Sequence, residues 1–485
     1  MRTTNKRDRM FNKFKRFKYI LLALCLVSST VLTLVTNVAH AATTVTITSP
    51  TNGSTATGTS FTVTGTATAD RLITVTVNGD EAGTTTSDGS GDWSLEVTGQ
   101  DPGAKTIEAT ASVGYAYVAN RGAATISVIN TVTDEKVGSD ISSVVNQQNA
   151  VISPDGTQMV TVSGFGVGNA IKVWSLADPE VPVITHSLTT ALTHAVAVFY
   201  SPDGNYFFVS SEAGNFSSGM VRRYNSSDPT TSADVTGYNQ NFPAYLSFSS
   251  DSSRLYVCNV ISGTMSVINV ATNTQLSTFA SSGGGGPLMS DDINGYSVRN
   301  NNDSVYPYNV QSETTGSPIA VGDGPVGSTF NQDQSRLLVA NLLSDNISVI
   351  NTGTNTVVDT VSTGTGSNPY TMAFTNDYSK VYLTEFGLDQ ISILDPTTLA
   401  ETGTIAVGDA PSAVAMGPAQ TATTSVSITL GSSSTSNTAA DSLADTGQNT
   451  RNIELLAIVL LTSGLAIATY SFNRRRKGTY ASTKN

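Results

Sequence analysis

An all-β architecture is what this sequence predicts, and three observations carry the prediction. Between Ala42 and Gln420, apolar and polar residues alternate in short runs, and no amphipathic helical stretch of useful length interrupts them. Asp-Gly and Asn-Gly pairs punctuate the runs, as tight turns require. A three-part phrase recurs seven times, with a period of about 44 residues, that of a propeller blade and too short for a sandwich.

The chain opens with Arg2, Lys6, Arg7, Arg9, Lys13, Lys15, Arg16 and Lys18, followed by an apolar run from Tyr19 to Val35 and then Ala39-His40-Ala41. This is the order of a secretory signal peptide, residues 1–41, with Ala39 and Ala41 at the positions a signal peptidase inspects. Cleavage is expected after Ala41. An uncleaved N-terminal anchor is the competing reading. Leu24 before Cys25 argues against a lipoprotein site.

Residues 42–112 hold "TVTITSPTNGS", "SFTVTGTAT", "ITVTVNG", "DGSGDWSLEVTG" and "KTIEATAS". These read as about seven short strands with turns between them. The stretch resembles a bacterial Ig-like β-sandwich, and the resemblance implies that Trp93 plugs its core. Asp88 and Asp92 are read as a solvated turn, because a calcium site needs six or more oxygen ligands at set spacing.

The repeat fills residues 113–418. Its first part is an apolar strand such as "VAVFYS" at Val196, ending in a turn such as "SPDG". The second is an aromatic or apolar strand such as "YVAN", around Tyr117, Met159, Phe207, Tyr256, Tyr296, Leu338 and Tyr382. The third is a strand such as "TISVIN" at Thr125. The phrases are cut out of phase: the first "YVAN" lacks a preceding strand and the last such strand, at Ser412, lacks a following "YVAN". The strand at Ser412 should therefore complete the first blade, a closure that leaves no open sheet edge. "AYVANRGAATISVIN" and "LLVANLLSDNISVINTGTNTVVDTVSTGTGSNP" resemble the YVTN-type, YncE-like repeat of seven-bladed β-propellers. That resemblance speaks for the fold; propellers host binding and catalysis alike.

Residues 419–442 are Ser/Thr-rich and are expected to form a flexible stalk. Leu443-Ala444-Asp445-Thr446-Gly447 follows, then an apolar transmembrane segment over 453–472 and a basic cytoplasmic tail over 473–485. The ordered triplet resembles the LPxTG-like sorting signal of wall-anchored proteins of Gram-positive-type bacteria, in an LAxTG variant with Ala444 where most members have Pro. The resemblance implies a sortase whose cysteine attacks the Thr446 carbonyl, releases Gly447 and transfers Thr446 to peptidoglycan. The membrane would hold the chain only before sorting. The competing reading is a permanent single-pass anchor.

Charge agrees with an exterior location. The whole chain is −12; residues 1–41 carry +7 and residues 447–485 carry +5, leaving −24 on residues 42–446. A surface this acidic is repelled by nucleic acid. Cys258 is the only cysteine after the leader, so no intramolecular disulfide is expected. His186 and His194 are too few for a multi-histidine metal site, and no nucleophile elbow, C-x-x-C, H-E-x-x-H or phosphate loop is present. No catalytic residue, metal or cofactor is therefore expected. Asp155, Asp203, Asp251, Asp333 and Asp377 sit in tight turns, where Asp bonds its own backbone.

The loops between second and third strands vary while the strands do not, as expected of recognition loops on a rigid scaffold. Asn120, Arg121, Phe165, Glu212, Phe216, Ile261, Asn341, Leu342, Leu343, Glu385 and Phe386 form the candidate binding face, suited to an extracellular glycan or protein ligand. His194 falls just before a first strand and is read as an ordinary loop or half-buried histidine, with a place near the propeller mouth as the alternative. The functional expectation is a wall-anchored adhesin or binding protein without enzymatic activity. The alternatives are a structural envelope protein or, less favoured, a lactonase-like propeller enzyme.

Overall fold

Period-two alternation builds strands and nothing else of length: the only helical turn among the described residues is a 3-10 turn at Asn300–Asn302. The computed structural model describes residues 43–431, apart from 144, 165–169, 190, 191, 193, 213–217, 282–284, 290 and 291. The expected signal peptide, pentapeptide Leu443–Gly447, membrane segment and basic tail lie outside the described residues.

Seven sheets of at least four strands follow one another as blades. The inner strands are Pro411–Met416 of blade one, then Gln147–Ile152, His194–Tyr200, Pro243–Phe248, Gly285–Met289, Pro325–Phe330 and Pro369–Phe374 of blades two to seven. Each touches its two neighbours, so the ring is closed. The closing strand pairs antiparallel with Tyr115–Asn120, with Val414 opposite Val118, which is the out-of-phase closure expected from the sequence. Second strands lie between blades and are buried on both faces, which explains near-continuous apolar runs such as "YAYVAN". One apolar cluster fills each gap between blades; Val160, Val198 and Phe207 serve blades two and three, and Ala116, Ile129 and Tyr382 serve seven and one.

Polar side chains staple the repeat. In four turns a hydroxyl donates to the turn aspartate at 2.6 Å: Ser153 to Asp155, Ser201 to Asp203, Ser249 to Asp251 and Thr375 to Asp377. These aspartates do the turn work the sequence suggests. The recurring tyrosine of the second strand reaches the neighbouring blade: Tyr117 donates to Pro179 O at 2.9 Å and Tyr296 to Thr352 O at 3.1 Å.

The N-terminal unit has strands β1 (Val45–Ser49), β2 (Thr55–Thr57), β3 (Phe61–Ala67), β4 (Leu72–Val77), β5 (Asp80–Thr86), β6 (Asp92–Val97) and β7 (Gly103–Val113). One sheet has the order β1-β3-β6. The other contains β2, β7, β4 and β5 together with a strand the sequence reading missed, Gln420–Gly431. This corrects the expected stalk: its first part is no flexible linker. The strand pairs with β7 from Val113↔Gln420 to Gly103↔Leu430, and with β2 in parallel. Ile428 and Leu430 join Val63, Ile73, Trp93 and Ile107 in the core between the two sheets. Gly65 lets Trp93 lie flat on β3: a Cβ there would fall 1.9 Å from Thr46 O and 2.4 Å from Trp93 Cζ2.

The propeller is thus inserted between two adjacent strands of the sandwich. Both crossings, at Gly114 and at 417–419, lie on the face carrying the aspartate turns. On that face Arg71 Nη2 lies 3.9 Å from Glu180 Oε1 of blade two, which also accepts from Tyr115 Oη at 2.6 Å. The loops between second and third strands, and the blade connections, occupy the opposite face.

Candidate functional site

The loop face surrounds the mouth of the central channel. Every inner strand starts there and carries a register shift within its first residues, as between Gln147 and Asn149, Ala195 and Ala197, and Pro369 and Met372. Bulges re-aim side chains, and here Gln148, Val196, Val326, Tyr370 and Ser412 line the channel. The channel cavity measures about 610 Å³ and continues past Tyr245, Phe199 and Phe248 to Met416. Burial raises the phenol pKa of Tyr245, with Tyr370 adding to it; burial also raises that of Tyr370, opposed by the Arg121 charge. Both remain neutral phenols. Phe386 stacks on Tyr370 with ring centroids 5.6 Å apart at 27°.

His194 is the first residue of the blade-three inner strand, at the rim, and is half-buried. Its Nδ1 lies 2.5 Å from Glu212 Oε1, the last residue of the paired second strand. Glu212 is 1% exposed. A carboxylate on Nδ1 holds the imidazole in one orientation.

The other expected face residues separate into two groups. Asn120, Glu212, Asn341 and Glu385 are buried, so they do not form an exposed surface. Asn120 Nδ2 donates to Thr125 Oγ1 at 3.0 Å and Ser127 Oγ at 2.9 Å; Asn341 Nδ2 donates to Asn346 Oδ1 at 2.7 Å and Ser348 Oγ at 2.9 Å. Glu385 Oε2 accepts from Gln390 Nε2 at 2.6 Å, and burial raises its pKa. These side chains tie second to third strands within a blade. Ile261 and Leu343 are exposed, at 57% and 68%, while Arg121, Leu342 and Phe386 are half-buried. Phe165 and Phe216 lie outside the described residues.

Three aspartates escaped the sequence reading. Asp303, Asp345 and Asp389 each precede a third strand with positive φ, and each accepts backbone N–H groups from the next blade connection: Gly324 at 2.9 Å, Gly366 at 2.8 Å with Asn368 at 2.9 Å, and Ala410 at 2.8 Å. The Gly366 and Asn368 N–H groups hold Asp345 below the usual carboxylate range. The signal was an aspartate directly before "SVYPYN", "NISVIN" and "QISILD".

No protein-family model matches the chain, and no curated protein matches it in sequence. Solved structures do match in fold. A putative 6-phosphogluconolactonase from Bacteroides uniformis is 14% identical, with a TM-score of 0.53 over 63% of this chain and 99% of that one. The periplasmic gluconolactonase of Pseudomonas aeruginosa gives the same values. A functionally unknown protein from Desulfotomaculum acetoxidans is 14% identical, with a TM-score of 0.52 over 62% of this chain and 98% of that one. At this identity the likeness is one of fold. It nonetheless corrects the expectation of no enzymatic activity: proteins named for lactone hydrolysis share this architecture, and a missing catalytic motif does not exclude an enzyme.

Proposed function

We propose that this chain is a wall-anchored surface protein that binds an extracellular glycan at the loop-face mouth of its propeller. One observation supports the reading most. Both chain crossings leave the propeller on the turn face, so the sandwich lies on the side away from the loop face. The mouth offers the Tyr370–Phe386 stack for a sugar face, with Arg121 and the His194–Glu212 pair at its margin. In this reading the YVTN-like repeat is the binding head and the Ig-like sandwich its base. Sortase transfers Thr446 of Leu443–Gly447 to peptidoglycan. The full-length chain on an array of glycans and matrix proteins should give a saturable signal that Phe386→Ala weakens at least tenfold. Silence across the array, or a signal indifferent to Phe386→Ala, would overturn the binding reading.

A second reading is favoured by His194–Glu212 and by the names of the structural neighbours: hydrolysis of a sugar lactone at the same mouth. His194 would take a proton from water while the water oxygen bonds the lactone carbonyl. The ring C–O bond then breaks, and the proton passes to the leaving alkoxide to give the hydroxy acid. Hydrolysis of glucono-δ-lactone above the spontaneous rate, lost in His194→Ala, is the expected result; equal rates in the two proteins would remove the reading.

A further inference from the structure

At the rim of the channel one arginine stands unpaired. Arg121 follows the second strand of blade one, and its N–H donates to Ala410 O at 2.9 Å, on the connection from blade seven. It is half-buried, and among the described residues no protein group bonds its guanidinium. Asp409, on that same connection, packs beside Gly122 and forms no ion pair with Arg121: a Cβ at 122 would fall 2.3 Å from Asp409 Oδ2. Arg299, in the corresponding loop of blade five, is occupied, its Nε donating to Asn301 Oδ1 at 2.7 Å. A half-buried charge without a partner is costly, and a chain this acidic has carboxylates to spare for it.

Two more donors lack acceptors nearby. Tyr370 and Tyr245 line the channel from blades seven and four, on opposite sides of the ring. Among the described residues neither hydroxyl has a hydrogen-bond partner. Burial keeps both phenols protonated, so each has a proton to donate, and the Arg121 charge reaches the Tyr370 phenol. Among the described residues no side chain lining the channel is charged. The rim thus gathers one positive charge and two hydroxyl donors around an uncharged cavity of about 610 Å³, beside the Tyr370–Phe386 stack.

We propose that the mouth takes an acidic sugar, such as a hexuronate, whose carboxylate pairs with Arg121 and accepts from Tyr370; this rests on the glycan-binding reading and names the chemical class of its ligand. The guanidinium fork matches the two oxygens of a carboxylate. One positive charge balances one negative charge. A phosphate monoester, carrying nearly two, would stay half-compensated beside a lining with no charge of its own. A neutral sugar would cover the guanidinium without pairing it, and so binds more weakly.

The test is calorimetric titration of the full-length chain with methyl α-galacturonide, methyl β-glucuronide and the methyl glycoside of N-acetylneuraminate. Each is set beside its methyl ester, which keeps the ring and removes the charge. At least one free acid should saturate, and its ester should bind at least about tenfold more weakly. Arg121→Gln should bring the acid down to the level of its ester, and Arg121→Lys, which keeps the charge, should recover part of the difference. Tyr370→Phe keeps the stack and removes one oxygen, and should weaken the acid at least about threefold. The proposal is overturned if acid and ester bind alike, or if Arg121→Gln binds the acid as well as the unmodified chain does. It is equally overturned if no acid saturates. In that case a Phe386-dependent signal from neutral glycans on the array leaves the glycan reading standing, whereas silence there removes both.

Discussion

Ile428→Ala tests whether Gln420–Gly431 belongs to the sandwich or to a linker. Ile428 is 3% exposed, and it packs in one core with Val63, Trp93 and Ile107. Truncating a buried isoleucine to alanine costs about 2–5 kcal/mol, from lost transfer energy and the cavity left behind. With a urea slope of about 1 kcal/mol per M for so small a unit, the sandwich midpoint should fall by about 2 M or more. Trp93 and Trp174 are the only tryptophans. One is buried in the sandwich and the other in the propeller, so Trp174→Phe makes Trp93 fluorescence a reporter of the sandwich alone. The control is Thr429→Ala, an exposed neighbour on the same strand, expected to change stability by less than about 0.5 kcal/mol. If Ile428→Ala moves the Trp93 transition no further than Thr429→Ala does, the strand is not docked and the insertion topology is wrong.

Three other outcomes follow from the same geometry. Tyr115→Phe removes a hydrogen bond to the Glu180 carboxylate at the sandwich–propeller junction, and chemical denaturation should show a loss of about 1.5–3 kcal/mol, nearer the lower figure because Glu180 is partly wet. Gly65→Ala drives a methyl into the Thr46 carbonyl, a backbone atom that cannot swing aside, so the Trp93 transition should weaken by about 1–3 kcal/mol or more. The Ser249 hydroxyl and the Ser253 N–H lower the Asp251 carboxyl to about 2; a depressed folded value means stability present above the unfolded pKa of about 3.9 and lost as pH falls through about 2. Asp251→Asn should therefore flatten the Tm–pH curve between those two values, and an unchanged slope would count against the turn's role.

The ring was legible because it repeats. Seven copies of one phrase average out the noise of any single strand, and the out-of-phase strand at Ser412 announced the closure. The final strand was not legible for the opposite reason. Ala422, Val426, Ile428 and Leu430 do alternate, but threonines and serines between them look like a linker, and the partner strand is remote: Thr423 bonds Thr110 across a separation of 313 residues. The buried asparagines Asn120 and Asn341 misled differently. Like Asn259, they lie at strand ends, where polar residues usually face water. The third strand answers each at spacings of five and seven residues, Thr125 with Ser127, Thr264 with Ser266, and Asn346 with Ser348. That spacing was a readable sign of an internal hydrogen-bond ladder. The His194–Glu212 pair had no such sign, because the register between their two strands is set by tertiary pairing.

The insertion also imposes an order in time. The sandwich cannot finish its second sheet until the chain has been made through Leu430, long after β7 has formed. Closing a flexible loop of about 300 residues costs about 5 kcal/mol in chain entropy. A folded propeller removes most of that cost, since the pairing of Val414 with Val118 already brings Val113 and Gln420 side by side. The ring is then the template and the sandwich the clasp that shuts behind it. In refolding, Trp174 should reach its native signal before Trp93, and a sandwich that closed first would contradict this order. A nascent chain would meanwhile carry an unfinished sheet with β7 exposed as an edge, protected only by the threonines and charges along it until the last strand arrives.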